Sequence, residues 1–223
     1  QNALGAKEKL GLCKTSSCWL LSVPLFHVSG LAIVFRCLLT ANAIVLPSDT
    51  AKEKITHLSW VPTQLFRHLE TKKVFPRLRC ALIGGAPIGE NLLYKALEAN
   101  LPVFLTYGMT EMASQITMTD RKDVLHPIHL GKPLTDREIR FSIDGEILVR
   151  GACLFKGYET QEGTCNPLID GAWFPTGDLG GLDRSGNLQH KGRKDHLFIS
   201  GGENIYPEAI ERALSTLPNV LFA

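Results

Sequence analysis

The sequence predicts an α/β fold: a mostly parallel β-sheet flanked by helices, followed by an antiparallel β subdomain and the start of a small α+β unit. Three observations predict it. Up to about residue 119, short apolar runs alternate with stretches of helical period, as strands joined by crossover helices do. Beyond residue 130 the runs shorten and are separated by Gly-rich turns, among them Asp144-Gly145, a strong hairpin signal. From Pro207 a third texture begins, with apolar Ile210 and Leu214 at helical spacing. The expected division is 1–130, 131–194 and 195–223.

Taken in order, residues 2–10 read as a helix, and 19–26 as a buried strand ending in a loop. Ser29 can cap a helix reaching Leu39, and 43–46 is the next strand. The run 57–61 is a short strand. Pro62 then occupies a first helical turn, where its missing N–H costs nothing, and that helix extends to about Glu70. A strand over 79–83 ends on Gly84-Gly85, an amphipathic helix covers 88–99, and a strand over 103–106 leads into the Gly108 turn. In the second region 137–143 and 146–149 pair across Asp144-Gly145, and 173–174 and 187–190 are short strands with turns such as 183–186 between them. The last helix extends from Pro207 to Thr216, and the apolar run 220–223 reads as the start of a strand.

Bulk properties set weaker limits. With 223 residues, 44% hydrophobic and 21% charged, the chain is an ordinary globular one that can bury a sizeable core. A formal net charge of +2 is neutral on nucleic acid, and no basic run exceeds a pair, so no nucleic-acid partner is expected. The most apolar segment, 31–39, is too short to span a bilayer and contains Arg36, so no membrane partner is expected either. Cys13, Cys18, Cys37, Cys80, Cys153 and Cys165 lack CxxC spacing and companion histidines. They are expected to be reduced core thiols rather than a zinc site or disulfide framework. The chain begins on Gln1 in apparent mid-helix and stops at Ala223 in an apolar run, and is therefore expected to be a piece of a longer protein.

In open parallel sheets, ligands sit at the carboxyl ends of strands. Three loops qualify: Gly84-Gly85-Ala86, 107–111 and 27–29. Gly84, Gly85 and Gly108 lack side chains, so a flat or charged ligand can approach the backbone. In Thr106-Tyr107-Gly108-Met109-Thr110-Glu111, Thr110 offers a hydroxyl to a phosphate oxygen and Glu111 a hard oxygen for Mg²⁺; a strand-to-helix turn with capping Thr and Glu is the alternative. Asp178 follows Trp173-Phe174-Pro175-Thr176-Gly177, where two apolar residues anchor a turn that presents a carboxylate. That carboxylate can accept two hydrogen bonds from a vicinal diol, or it simply stabilises its own turn. The helix 30–39 is apolar nearly all round and expected to be buried, with Arg36 its only charge. A buried guanidinium needs an anionic partner, either an internal Asp or Glu or a ligand carboxylate held bidentately. His27 shapes the same pocket or is a satisfied core histidine.

The ordered set of 106–111, Thr176-Gly177-Asp178-Leu179-Gly180, Asp183, Gly186 and Gly192-Arg193-Lys194-Asp195 resembles the adenylate-forming acyl-CoA ligase family of AMP-binding enzymes over essentially all 223 residues. The resemblance implies an acid–thiol ligase that uses ATP and Mg²⁺ to form an acyl-adenylate and then a CoA thioester. It implies catalytic roles for Thr110 and Glu111, with Glu111 the metal ligand. It assigns Gly84, Gly85, Ala86, Tyr107, Gly108, Met109, Asp178 and Arg193 to the nucleotide, with Tyr107 against the adenine and Asp178 on the ribose. Asp195 would be the hinge to a mobile C-terminal lid. Gly201 and Gly202, within Ser200-Gly201-Gly202-Glu203-Asn204-Ile205, would line the CoA tunnel.

Pro24-Leu25-Phe26-His27-Val28-Ser29-Gly30 with Arg36, and Val61-Pro62-Thr63-Gln64-Leu65, are most similar to members acting on o-succinylbenzoate in menaquinone biosynthesis. That likeness implies substrate contacts from His27, Arg36 and Ser59, with Arg36 on the succinyl carboxylate that is not activated. It also implies a cytoplasmic enzyme whose partners are a small carboxylate, ATP and CoA, and leaves the oligomeric state, a homodimer included, open.

Two departures accompany the match. The family's Gly/Ser/Thr-rich phosphate loop, ending in Pro-Lys-Gly, is expected before Gln1, and its adenylation lysine beyond Ala223. The chain is therefore expected to be inactive alone, with sheet edges and core surface left uncovered. Another acyl- or aryl-CoA ligase need not place an arginine at position 36. A luciferase-like or amino-acid-adenylating relative fits the Gly201-Gly202 loop less well, and a non-catalytic adenylate-binding module is the non-enzyme alternative.

Overall fold

Alternation of buried side chains organises the first half of the chain. The computed structural model describes residues 1–7, 9–12, 16–48, 52–71, 73–120, 128–214, 216–217 and 220, so Cys13 and the final part of the run 220–223 lie outside the described residues. Strands β1 (Cys18–Leu20), β2 (Ala43–Val45), β3 (His57–Trp60), β4 (Cys80–Ile83), β5 (Val103–Met109), β6 (Ser114–Met118) and β7 (Lys132–Pro133) form one sheet in the order β2-β1-β3-β4-β5-β6-β7. The first five strands pair in parallel and the last two antiparallel. β3 and β4 are buried along their whole length, because helices cover both faces of this part of the sheet.

One face carries Trp19, Cys80, Leu82 and Phe104 and packs on Ile33 and Cys37 of α2 (Val28–Leu39). The other carries Leu58, Trp60, Ala81, Ile83, Val103 and Leu105 and packs against α3 (Pro62–Thr71) and α4 (Glu90–Glu98). The period of two decides which residues can reach a ligand. Ser59 and Thr106 fall on the α2 face, Ser59 near the end of β3 and Thr106 just past the last pairing of β5 with β4.

The second sheet is antiparallel, in the order β13-β12-β9-β8, built from β8 (Arg137–Phe141), β9 (Glu146–Gly151), β12 (Phe174–Leu182) and β13 (Leu188–Arg193). Its inner residues Ile147, Val149, Phe174 and Leu188 pack on Tyr107, Met112 and Ile116. Between β9 and β12 lies the hairpin β10 (Tyr158–Thr160) and β11 (Gly163–Cys165). A last hairpin, β14 (Phe198–Ser200) and β15 (Glu203–Ile205), precedes α5 (Pro207–Leu214).

Several expectations need correction. The helix at 2–10 is only α1, Asn2–Gly5, and the described residues after it, from Ala6 at φ −96° and ψ −8°, continue in turns. The strand at 19–26 stops at Leu20. Beyond it the chain turns outward and Phe26 is 83% exposed. α2 begins after His27 rather than Ser29, since the His27 N–H closes a turn onto the Pro24 carbonyl at 3.2 Å.

That helix is also not buried all round. Ala32, Ile33, Arg36 and Cys37 face inward, while Leu31, Phe35, Leu38 and Leu39 are exposed. The hairpin partner β6 was not foreseen. Gly108 allows it, because a Cβ there would overlap the Ser114 carbonyl. Asp178 lies inside a nine-residue strand and not in a turn. Of the described cysteines, Cys37, Cys80 and Cys153 are buried thiols, whereas Cys18 is half-buried and Cys165 exposed on β11. Among the described residues no helix is long and apolar enough to cross a membrane.

Candidate functional site: two adjoining cavities with opposite buried charges

At the carboxyl ends of β3, β4 and β5 lies a cavity of about 570 Å³, walled by His27, Ser59, Gly84, Gly85, Thr106, Gly108, Met109 and Thr110 and reaching Arg36 and Gln115 at depth. Gly84 packs its α-carbon against Thr106, and Gly85 has φ +80°, a conformation that favours glycine. Ala86 is exposed and lines neither this cavity nor the second one. His27 is exposed on the rim with its ring 4.6 Å from Phe26, which excludes a satisfied core histidine. Ser59 is buried in β3 and exchanges hydrogen bonds with Ser22, its N–H donating to Ser22 Oγ at 3.3 Å.

Arg36 is 1% exposed. Its Nη2 donates to Gln115 Oε1, its guanidinium lies 5.3 Å from the centre of the Trp19 ring, and its buried Nε has no hydrogen-bond partner. Among the described residues no carboxylate forms an ion pair with it. Burial pulls its pKa down to about 10, and the neighbouring Arg137 charge adds to this. The internal Asp or Glu that would have explained the residue structurally is therefore not found among the described residues.

A second cavity of about 580 Å³ adjoins the first through Met109 and Thr110 and is lined further by Glu111, Glu146, Tyr158, Thr176, Gly177, Asp178 and Arg193. A register irregularity between Pro175 and Leu179, with Gly177 at φ +74°, turns Asp178 inward from β12. Tyr107 Oη donates to Asp178 Oδ2 at 2.6 Å. Arg193 Nη1 and His190 Nε2 each lie 3.4 Å from Oδ1. Burial alone would raise the Asp178 pKa. The His190 and Tyr107 hydrogen bonds, with the His190 and Arg193 charges, outweigh it and hold the carboxyl below its ordinary value. Burial and the Asp178 charge push the Tyr107 hydroxyl well up. Tyr107 lines neither cavity, and its contribution here is the hydroxyl to Asp178.

Arg193 also makes a two-pronged contact with Asp195, at 2.9 and 3.2 Å, and donates to the Thr176 carbonyl at 3.0 Å. The Asp195 hydrogen bond is the largest reason its pKa is raised. The Arg193 N–H meets Glu208 Oε1 of α5 at 3.1 Å, and His196 Nδ1 meets the same oxygen at 2.8 Å. The segment around Asp195 is thus pinned from both sides. Gly201 and Gly202 form the exposed β14–β15 turn with φ +61° and +85°, and line neither cavity.

Four site residues were not anticipated. Tyr158 Oη donates to Glu111 Oε1 at 2.7 Å, and burial first, then this bond, pushes its pKa up to about 12. Glu146 accepts from the Gly177 N–H at 2.9 Å and meets Lys194 Nζ at 3.0 Å. His190 and Gln115 complete the set. Gln115 and His190 lie within a few residues of a recognised motif, but all four are 12 or more residues from the groups they serve, beyond any local spacing signal.

Comparison with known proteins identifies relatives of the chain. The chain is 38% identical to a 2-succinylbenzoate–CoA ligase from Listeria innocua serovar 6a, over 96% of this chain and 48% of the relative. It superposes with TM-score 0.86 and 34% identity on the o-succinylbenzoate CoA synthetase (MenE) of Bacillus subtilis in complex with the acyl-adenylate intermediate OSB-AMP, covering 99% of this chain and 50% of that one. The same enzyme with ATP and a magnesium ion gives TM-score 0.84 and 35% identity, over 95% of this chain and 49% of that one. The chain spans about half the length of the curated relatives it matches. A family model for AMP-binding enzymes matches residues 2–159, which takes in β1 to β9 and the whole first cavity. The chain belongs to the AMP-binding enzyme family.

Proposed function

We propose that this chain carries the acyl pocket and most of the nucleotide pocket of an ATP-dependent acid–thiol ligase, with o-succinylbenzoate as the acid and o-succinylbenzoyl-CoA as the product, in menaquinone biosynthesis. The single observation that carries the reading is the adjacency of the two cavities. A buried cation awaits an anion in one, a buried carboxylate faces the other, and Thr110 stands between them. The relatives named for this activity support it.

In the proposed first step a carboxylate oxygen of the acid attacks the α-phosphorus of ATP. A P–O bond forms, the α–β phosphoanhydride breaks, and pyrophosphate leaves with the electron pair. In the second step the CoA thiol, losing its proton, attacks the acyl carbonyl and AMP leaves. Arg36 anchors the carboxylate that does not react. Asp178 accepts from the ribose diol, and Thr110 donates to a phosphate oxygen where the two ligands meet. The chain's part is positioning and charge complementarity.

Mg²⁺, when bound with ATP, neutralises phosphate charge. Glu111 fits as its protein carboxylate, since Mg²⁺ takes one or two carboxylates together with substrate phosphates. The described residues contain no cluster of three metal-ligating side chains that would hold a metal alone. Asp195 is proposed as the hinge, and Gly201 and Gly202 as contacts for CoA after the lid turns. We place the enzyme in the cytoplasm, where ATP and CoA are supplied. The test is ATP–pyrophosphate exchange by the full-length protein across a panel of acids. Exchange driven by o-succinylbenzoate is expected, and exchange driven only by acids lacking a second carboxylate would overturn the substrate assignment.

A further inference from the structure

Gln115 is buried in β6 and lines the first cavity, and its backbone carbonyl and side-chain amide are all hydrogen-bonded. Its backbone carbonyl accepts from Arg137 Nε at 2.7 Å and from Asn2 Nδ2 at 3.1 Å, which fixes the main chain. Its side-chain Nε2 faces Thr106 Oγ1 at 3.4 Å and Met118 Sδ at 3.6 Å. Thr106 Oγ1 already donates to the Thr117 carbonyl at 2.7 Å, so towards Gln115 it acts as acceptor. The amide nitrogen must therefore point at Thr106 and the amide oxygen at Arg36. The orientation of the amide is set by its surroundings.

The consequence for Arg36 follows from charge. Among the described residues, Gln115 supplies the only side-chain acceptor to the guanidinium, and that acceptor is neutral. The Trp19 ring face adds attraction without neutralising it. Nε remains unpartnered and fully buried. A glutamate at position 115 would have nearly the same shape and would cancel the charge. A glutamine holds the guanidinium in place and leaves the charge for a ligand.

Resting on the acyl-pocket reading above, we infer that Gln115 is the positioning residue that determines specificity for dicarboxylates: a neutral partner that orients Arg36 while withholding the counter-charge, so that the pocket selects acids carrying a second carboxylate. Thr106 takes part by fixing the amide. Met118, beside the Gln115 amide, and Trp19, beside the guanidinium, line this end with apolar surface.

The test compares two acids on the full-length protein: o-succinylbenzoate, and its analogue with the succinyl carboxylate replaced by a primary amide. KM and kcat are measured for each in pyrophosphate exchange. For Gln115→Glu, the KM of the dicarboxylate should rise roughly a hundredfold, because an internal carboxylate replaces the ligand's. The KM of the amide analogue should stay level or fall, with kcat and the KM of ATP unchanged within about threefold. Thermal melting establishes that the variant folds. Should it not fold, Gln115→Met, which is neutral but a poor acceptor, should raise the dicarboxylate KM about tenfold and leave the amide analogue alone. Gln115→Asn should recover part of the preference. A wild-type protein that does not prefer the dicarboxylate sinks the pocket reading and this inference together. A wild-type preference that survives Gln115→Glu unchanged, or equal KM changes for both acids, overturns the role of Gln115 alone.

Discussion

The two cavities solve the burial of a charge in opposite ways. Asp178 is surrounded by Tyr107, Arg193 and His190, and its ionised form is favoured despite burial. Among the described residues Arg36 has one neutral side-chain acceptor and an aromatic face, and burial pulls its pKa down to about 10. A fully partnered carboxylate is preorganised: it can take hydrogen bonds from a neutral diol without moving. An under-partnered guanidinium is costly in the free protein and gains its counter-ion only when a ligand arrives. One site thus contributes to stability and the other gives some away.

The largest effect expected from breaking this contrast is at Arg36. Arg36→Met should raise the KM for a dicarboxylate acid by roughly a hundredfold with the KM for ATP unchanged, the loss expected for a charged, desolvated contact. The same variant should melt a few degrees higher, because a buried cation with no carboxylate partner among the described residues is replaced by an apolar side chain. Equal KM effects on acid and ATP, or a lower melting temperature, would refute the contrast.

Asp178→Asn comes next. AMP affinity by calorimetry should fall about tenfold, and the melting temperature should drop, because Arg193 and His190 lose their shared anion. The pH dependence carries a sign. The folded pKa of Asp178 lies below its unfolded value, so its contribution to stability is present above about pH 3.9 and is lost as pH falls through the lower folded pKa. Acid unfolding of Asp178→Asn should accordingly be flatter than wild type below about pH 4, and parallel curves would refute the linkage.

The smallest effect sharpens the edge between the sites. Tyr158→Phe removes one donor from Glu111 and should change the Mg²⁺ concentration for half-maximal exchange by about threefold while leaving both acid and AMP affinities in place. A larger change in AMP affinity would show that Tyr158 serves the nucleotide instead.

Much of the frame was legible in advance, for identifiable reasons. β3, β4 and α3 were placed to within a residue or two because buried parallel strands read as apolar runs and Pro62 marks a helix start. The failures share a cause as well. The run 19–26 is apolar but for Ser22, yet only Cys18–Leu20 finds a strand to pair with, and Phe26 ends up in the open. α2 looked buried all round because composition cannot tell an inward face from an outward one when both are apolar. β6 was missed because its pairing with β5 turns on Gly108 yielding room to Ser114, a contact between backbones.

The sequence by itself determined the alternation of strands and helices up to β5, the motif residues Thr110, Glu111, Asp178 and Arg193, and the presence of one charge in an apolar helix. These depend on local periodicity and residue chemistry, which a chain carries wherever it goes. Only the tertiary structure decided that Gln115, 79 residues away, is what Arg36 meets, and that Tyr107 and Arg193 converge on Asp178. Whether a buried charge is satisfied depends on groups brought together by folding, and no spacing along the chain records that.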